Sequence, residues 1–299
     1  MTRWLARQAL RLYPLAYQRR YGEEMRALLE DRPPRAGTVF DLLKGATRAH
    51  LRPADAPAGA VGAADRVRAS TSGVLLCWVF FAAAGFAFYK TTEDAPFSAV
   101  GHAHPLLRDA HLAVQAVGLI ASAAVVLGAL PLIVAAIVQA RREPGLRRLV
   151  ALPLLPIIVF GVLSAVVIAI AHTQGAKGSG AGSGMAVAWG IAGLACGATC
   201  VLACRRALFA TPAATGRLRA ALAAGTLVTL AMLAIAAATA VYAIALATDA
   251  SHLAAAPNGP FQVLSVTTSL IVQLVVMVGA GALAAVATVR AWRNEHQLA

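Results

Sequence analysis

Six runs of apolar residues dominate the chain, covering residues 73–89, 112–138, 149–171, 185–204, 221–246 and 262–289. A helix needs about 20 such residues to cross a bilayer, so each run is a candidate span; the first is short, and the second and sixth are long enough to tilt. Well inside the runs there is no Asp, Glu, Lys, Arg or His. The pattern predicts an all-α fold, a polytopic membrane protein with six transmembrane helices in a domain over 73–289.

Ahead of the first run the pattern changes. Residues 1–52 read as three short helices, a small helical N-terminal module placed on the cytoplasmic side by the charge argument below. In the first, Arg3, Arg7 and Arg11 recur every four residues as a basic stripe, with Trp4, Leu5, Ala9 and Leu12 assigned to the opposite side. Such a helix suits the headgroup layer of a membrane. Pro14 suits the first position of a second helix, where its missing N–H costs nothing. Tyr17, Tyr21, Met25 and Leu28 then share a face, and Arg19 with Glu23 and Arg20 with Glu24 stand four apart as exposed ion pairs. Thr38 is a candidate cap for the third helix. The Pro, Ala and Gly of residues 53–72 read as a linker, and residues 290–299 as a tail.

Composition sharpens the membrane reading. Hydrophobic residues make up 59% and charged residues 13% of the 299 positions, against about 25% charged in an ordinary soluble domain. A net charge of +13 would suggest nucleic acid if it were spread evenly. It is not: 23 of the 26 basic residues fall in the N-terminal segment, the 139–148 loop, the 205–219 loop and the tail, and the other connections hold only Lys90, Arg108 and Lys177. Under the positive-inside rule this alternation puts both termini in the cytoplasm. The arginines then serve as topology signals and as contacts to anionic headgroups, no nucleic-acid partner is implied, and the lipid bilayer is the expected partner. About 70 mostly polar residues precede the first apolar run, so no cleavable secretory signal is expected.

The segments "RLYPLAYQRRYGEEM" and "DLLKGATRAHL" resemble the N-terminal permease-prefix segment of bacterial membrane proteins, including transport permeases and uncharacterised actinobacterial integral membrane proteins. The residues that carry the resemblance are Tyr13, Pro14, Tyr21, Gly22, Glu23, Glu24 and Met25, then Asp41, Leu42, Leu43 and Gly45. It covers about 40 residues and implies no catalytic residue. It implies a multi-pass protein of the bacterial cytoplasmic membrane. Permeases of the macrolide-export type with such a prefix carry large extracytoplasmic domains, whereas the longest outer loop here is short.

Candidate chemistry is sparse. Cys196, Cys200 and Cys204 fall at i, i+4 and i+8 of the fourth run; beside Gly193 and Gly197 they read better as a small-residue packing stripe than as a metal face. Five histidines, His102, His104, His111, His172 and His252, fall on the outer side near Glu93, Asp94, Asp109 and Asp249. His102, His104 and His111 are therefore candidate ligands for a divalent metal or sensors of acid pH, beside the alternative of loop histidines that bind nothing. Gln115 and Gln273 are candidate pathway residues, or interhelical hydrogen-bonding groups. Pro131, Pro153 and Pro156 could splay the second and third runs apart. No phosphate-binding loop, zinc-protease motif or nucleophile elbow occurs, so neither an enzyme nor a resident cofactor is expected, and any ATPase must be a separate chain. The expected function is a non-enzymatic scaffold or regulator whose prefix docks a partner or the inner leaflet through Arg3, Trp4, Arg7, Arg11, Tyr17, Tyr21, Glu23 and Glu24. The alternatives are a permease subunit energised by a separate ATPase and an extracytoplasmic metal or pH sensor.

Overall fold

The structure is a computed structural model that describes residues 2–11, 13, 15–31, 36–51, 60–92, 94–174, 180–210, 215–256 and 265–295. Every regular element among them is a helix, and six helices are long and apolar enough to cross a membrane. The architecture is an all-α polytopic membrane fold. Inside a bilayer no water can satisfy a backbone amide, so each apolar run must close its own hydrogen bonds as a helix.

Three short helices come first: α1 (Thr2–Arg11), α2 (Leu15–Asp31) and α3 (Ala36–Leu51). They gather on a small core of Leu10, Tyr13 and Ala46, flanked by Tyr17, Met25, Leu29 and Leu42. The rings of Tyr13, Tyr17 and Tyr21 step along α2 with centroids 4.9 and 4.8 Å apart. Gly45 lies where any Cβ would collide with the Tyr13 hydroxyl, so its missing side chain lets α3 close on that ring. Thr38 lies inside α3 rather than at its cap, because the helix already begins at Ala36.

The spans are α4 (Ala60–Thr92), α6 (Pro105–Arg142), α8 (Leu154–Gln174), α9 (Gly180–Ala210), α10 (Thr215–Asp249) and α12 (Val266–Glu295), with short α5 (Ala95–Ala103), α7 (Pro144–Ala151) and α11 (Ser251–Ala255) between them. The helices outrun the apolar stretches. Residues 60–72, expected as part of a linker, are the first turns of α4, and residues 290–295, expected as tail, are the last turns of α12. α6 has 38 residues, about 57 Å at 1.5 Å per residue, so it projects well beyond a hydrocarbon core of about 30 Å.

The spans form two groups. α4, α6, α10 and α12 pack as a central bundle around Phe81, Phe88, Met232, Leu270 and Met277, and α10 has 44% of its apolar window buried. α8 has 6% buried and rests on α9, which rests on α4. Without water there is no hydrophobic drive between spans, so close packing and polar contacts hold them. Gly128 of α6 faces Ala224 of α10 with no room for a Cβ, and Thr229 hydrogen-bonds Thr288 at 2.9 Å. Gly193 and Gly197 of α9 serve two partners: a Cβ would meet Phe160 of α8 at 3.0 Å in the first case and Val79 of α4 at 2.7 Å in the second. The glycines beside the cysteine stripe therefore pack closely, whereas Cys200 and Cys204 line an apolar groove.

Candidate functional site

One end of the bundle gathers histidines and the other gathers arginines. At the histidine end, Pro at the start of α5 and of α6 fixes two helix entries, and His104 breaks the chain between them with φ −120° and ψ 101°. That break sends neighbouring histidines in different directions. His104 Nδ1 lies 3.7 Å from Asp249 Oδ2 at the end of α10. His111, two turns into α6, turns inward: its ring lies 5.8 Å from Phe88 and 6.0 Å from Tyr242, and its Nε2 shares a 2.9 Å hydrogen bond with Gln115.

His102 and His111 both line a cavity of about 300 Å³ closed by Tyr89, Thr92, Phe97, Arg108, Gln115 and Tyr242. Arg108 is paired with the adjacent Asp109 at 3.2 Å. The pit is mixed in character: Phe97, Leu107 and Leu112 supply apolar wall, and ring nitrogens, an amide and phenol groups supply its hydrogen-bonding surface.

The expected metal trio is not assembled. Among the described residues no three His, Cys, Asp or Glu side chains converge on a point, and His104 faces Asp249 while His102 and His111 face the pit. Sequence proximity misled because the backbone turns at His104. Glu93 lies outside the described residues, as does the side chain of His172.

Gln115 lines the pit itself and hydrogen-bonds His111 there. Gln273 makes the interhelical hydrogen bond that was the alternative expected for it. It is 5% exposed between α4 and α12, donating to Ser269 Oγ at 2.8 Å and Thr91 Oγ1 at 3.3 Å. Seven residues from the start of α12, or about 10 Å, it lies nearer the histidine end than the middle of the span. Its Oε1 and the hydroxyl of Thr239 are buried without a hydrogen-bond partner among the described residues.

At the arginine end the helix termini are tied together. Arg219 Nε donates to Glu295 Oε1 at 2.5 Å, Arg66 Nε to Asn294 Oδ1 at 3.1 Å, and Trp292 Nε1 to Thr226 Oγ1 at 2.9 Å. Arg147 of α7 donates to the carbonyls of Ala140 and Arg141, both at 3.0 Å, capping the end of α6 with a cation where its dipole favours one.

In the prefix the buried face of α1 is Ala6, Ala9 and Leu10, whereas Trp4 is 63% and Leu5 37% exposed. Trp4 therefore belongs beside the arginine stripe and not opposite it, one hundred degrees per residue placing it near Arg7 and Arg11. Arg7 reaches Glu30 at 3.5 Å, Tyr17 and Tyr21 are half-buried against α2's own aromatic ladder, and Glu23 and Glu24 are exposed. The side chains of Arg3, Arg11, Arg19 and Arg20 lie outside the described set.

One feature escaped the sequence reading: Trp189 of α9 stacks 5.4 Å from Phe160 of α8 and 5.3 Å from Phe86 of α4, and donates to Ser164 Oγ at 2.9 Å. An apolar groove of about 580 Å³ opens between α6 and α8, the two helices that Pro131, Pro153 and Pro156 were expected to splay apart. Searches among protein-family models, curated proteins and solved structures find no match to this chain.

Proposed function

We propose that the chain is a non-enzymatic scaffold or regulator of the bacterial cytoplasmic membrane, with both termini cytoplasmic, whose prefix docks a protein partner or the inner leaflet. The observation that carries this reading is the exposure of Trp4 at 63%, Leu28 at 65% and Phe40 at 68% on three helices of a small, charged module. Large apolar side chains exposed on a charged helical module are available to a partner's apolar surface or to the headgroup layer. The likeness of this segment to permease prefixes points the same way, and the concentration of arginines at one end of the bundle supports the orientation.

The test is purification in mild detergent from the native bacterium of the full chain and of a chain lacking residues 1–52, with co-purifying proteins identified by mass spectrometry and membrane binding of the isolated prefix measured on anionic vesicles. The reading predicts a partner, or vesicle binding, that disappears with the prefix. If the truncated chain keeps every partner and the prefix ignores vesicles, the docking role is wrong.

A second reading, a permease subunit served by a separate ATPase, is favoured by α7, a short helix at the arginine end carrying exposed Arg147 and Arg148 as a docking point. An ATPase retained by the full chain, with hydrolysis that depends on it, would select this reading over the scaffold.

A further inference from the structure

We infer that the groove between α6 and α8 is a binding site for one anionic phospholipid, its acyl chain along the groove and its phosphate on the arginines at the groove's end. Consecutive spans usually pack on each other, yet α6 and α8 share little direct packing. α7 stands between them, held to the end of α6 by Arg147. Pro153, in the turn before α8, lines the groove, and Pro131 lies within α6 between the lining residues Ala129 and Leu132.

Every lining residue falls in the arginine-end half of its helix: Ala124 to Arg141 on α6, Leu154 and Ile157 on α8, Cys200 to Leu208 on α9, Ala221 to Val228 on α10 and Thr71 to Leu75 on α4. From Ala124 to Arg141 the groove runs about 25 Å, close to the roughly 20 Å depth of one leaflet with its headgroups.

Shape selects the occupant. The groove is long and narrow, about 580 Å³ spread over about 25 Å, so a helix about 10 Å across cannot lie along its floor. An acyl chain can, and Ile133, Ile137, Leu154 and Ile157 keep the groove open toward the surrounding lipid.

Charge selects the headgroup. Arg141 and Arg147 line the mouth, and Arg142 and Arg148 are exposed beside it. The one acid of this connection, Glu143, accepts from Gln139 at 2.5 Å, so the connection keeps an excess of cations. Basic pockets between spans bind lipid phosphates in this way, with guanidinium groups matching phosphate geometry.

The experiment is native mass spectrometry of the full chain released from nanodiscs containing equal phosphatidylglycerol and phosphatidylcholine. The wild type is expected to retain one phosphatidylglycerol after the loose lipids are stripped. Arg141→Ala should cut that retention about tenfold and Arg141→Lys much less; Ile133→Trp with Ile137→Trp, substitutions at exposed positions that fill the groove, should abolish it. Excess inorganic phosphate should not displace the lipid. Equal retention of phosphatidylcholine, equal retention in all variants, displacement by phosphate alone, or a dimer in place of the lipid-bound monomer would each overturn the proposal. The result does not depend on any partner of the prefix.

Discussion

Tyr13 joins the two halves of the prefix, because its ring sits between Leu10 of α1 and Ala46 of α3 at 7% exposure. Burial, helped by the neighbouring Tyr17 phenol, raises its pKa above the ordinary value of 10.0. In the unfolded prefix the phenol ionises at its ordinary value, while in the folded prefix it still holds its proton there. Prefix stability should therefore stay flat up to pH 10 and fall as the pH rises through the raised value. Absorbance of phenolate, followed beside the helical circular dichroism of the isolated prefix, measures this. The fall should be weaker in a Tyr13→Phe variant, and an unchanged fall would mean that another group governs it. The tyrosine face was legible from the spacing of Tyr17 and Tyr21, and the charged stripe from Arg3, Arg7 and Arg11. Trp4 was not, because one turn of helix puts it beside the arginines, nor was the parting of His104 from His102 and His111, because a single extended residue turns the chain between them.

Trp189 shows how a whole element is held. α8 is buried over only a small part of its surface, and its attachment to the bundle passes through α9. Two aromatic contacts at about 1 kcal/mol each and one interhelical hydrogen bond at about 0.6 kcal/mol give Trp189 a share of about 2 to 3 kcal/mol. Trp189→Ala should loosen α8 and leave the central bundle in place. Limited proteolysis in detergent would then cut near the α7–α8 connection first, and cleavage spread evenly over all connections would refute a separable α8–α9 pair. The number of spans was legible in the sequence because apolar length alone fixes it. The ends were not, because Ala and Arg are good helix formers and the hydrogen-bond ladder runs on through charged turns such as residues 60–72 and 290–295. Which span meets which was also hidden, since α8 is apolar all round and offers no stripe to mark a partner.

At the scale of the whole molecule the proposed orientation rests on the asymmetry between the ends. The arginine end holds the starts of α4 and α10 and the ends of α6, α9 and α12, whereas the histidine end holds α5, α11 and the His104–Asp249 pair. Some arginines there, such as Arg219 and Arg66, tie helix ends together, while Arg142 and Arg148 stay exposed in the end turns of their helices, as the proposed topology requires. Cys77, Cys196, Cys200 and Cys204 are half-buried within the spans, so a background with these four changed to Ala allows single cysteines to report the side. His102→Cys should react with a membrane-impermeant maleimide on intact spheroplasts, and Arg148→Cys only after permeabilisation. The reverse pattern would invert the molecule, putting the prefix outside and removing any cytoplasmic partner. Labelling of both from outside would mean that the two ends do not lie on opposite faces of one bilayer, and the lipid proposed for the groove at the arginine end would lose the leaflet it requires.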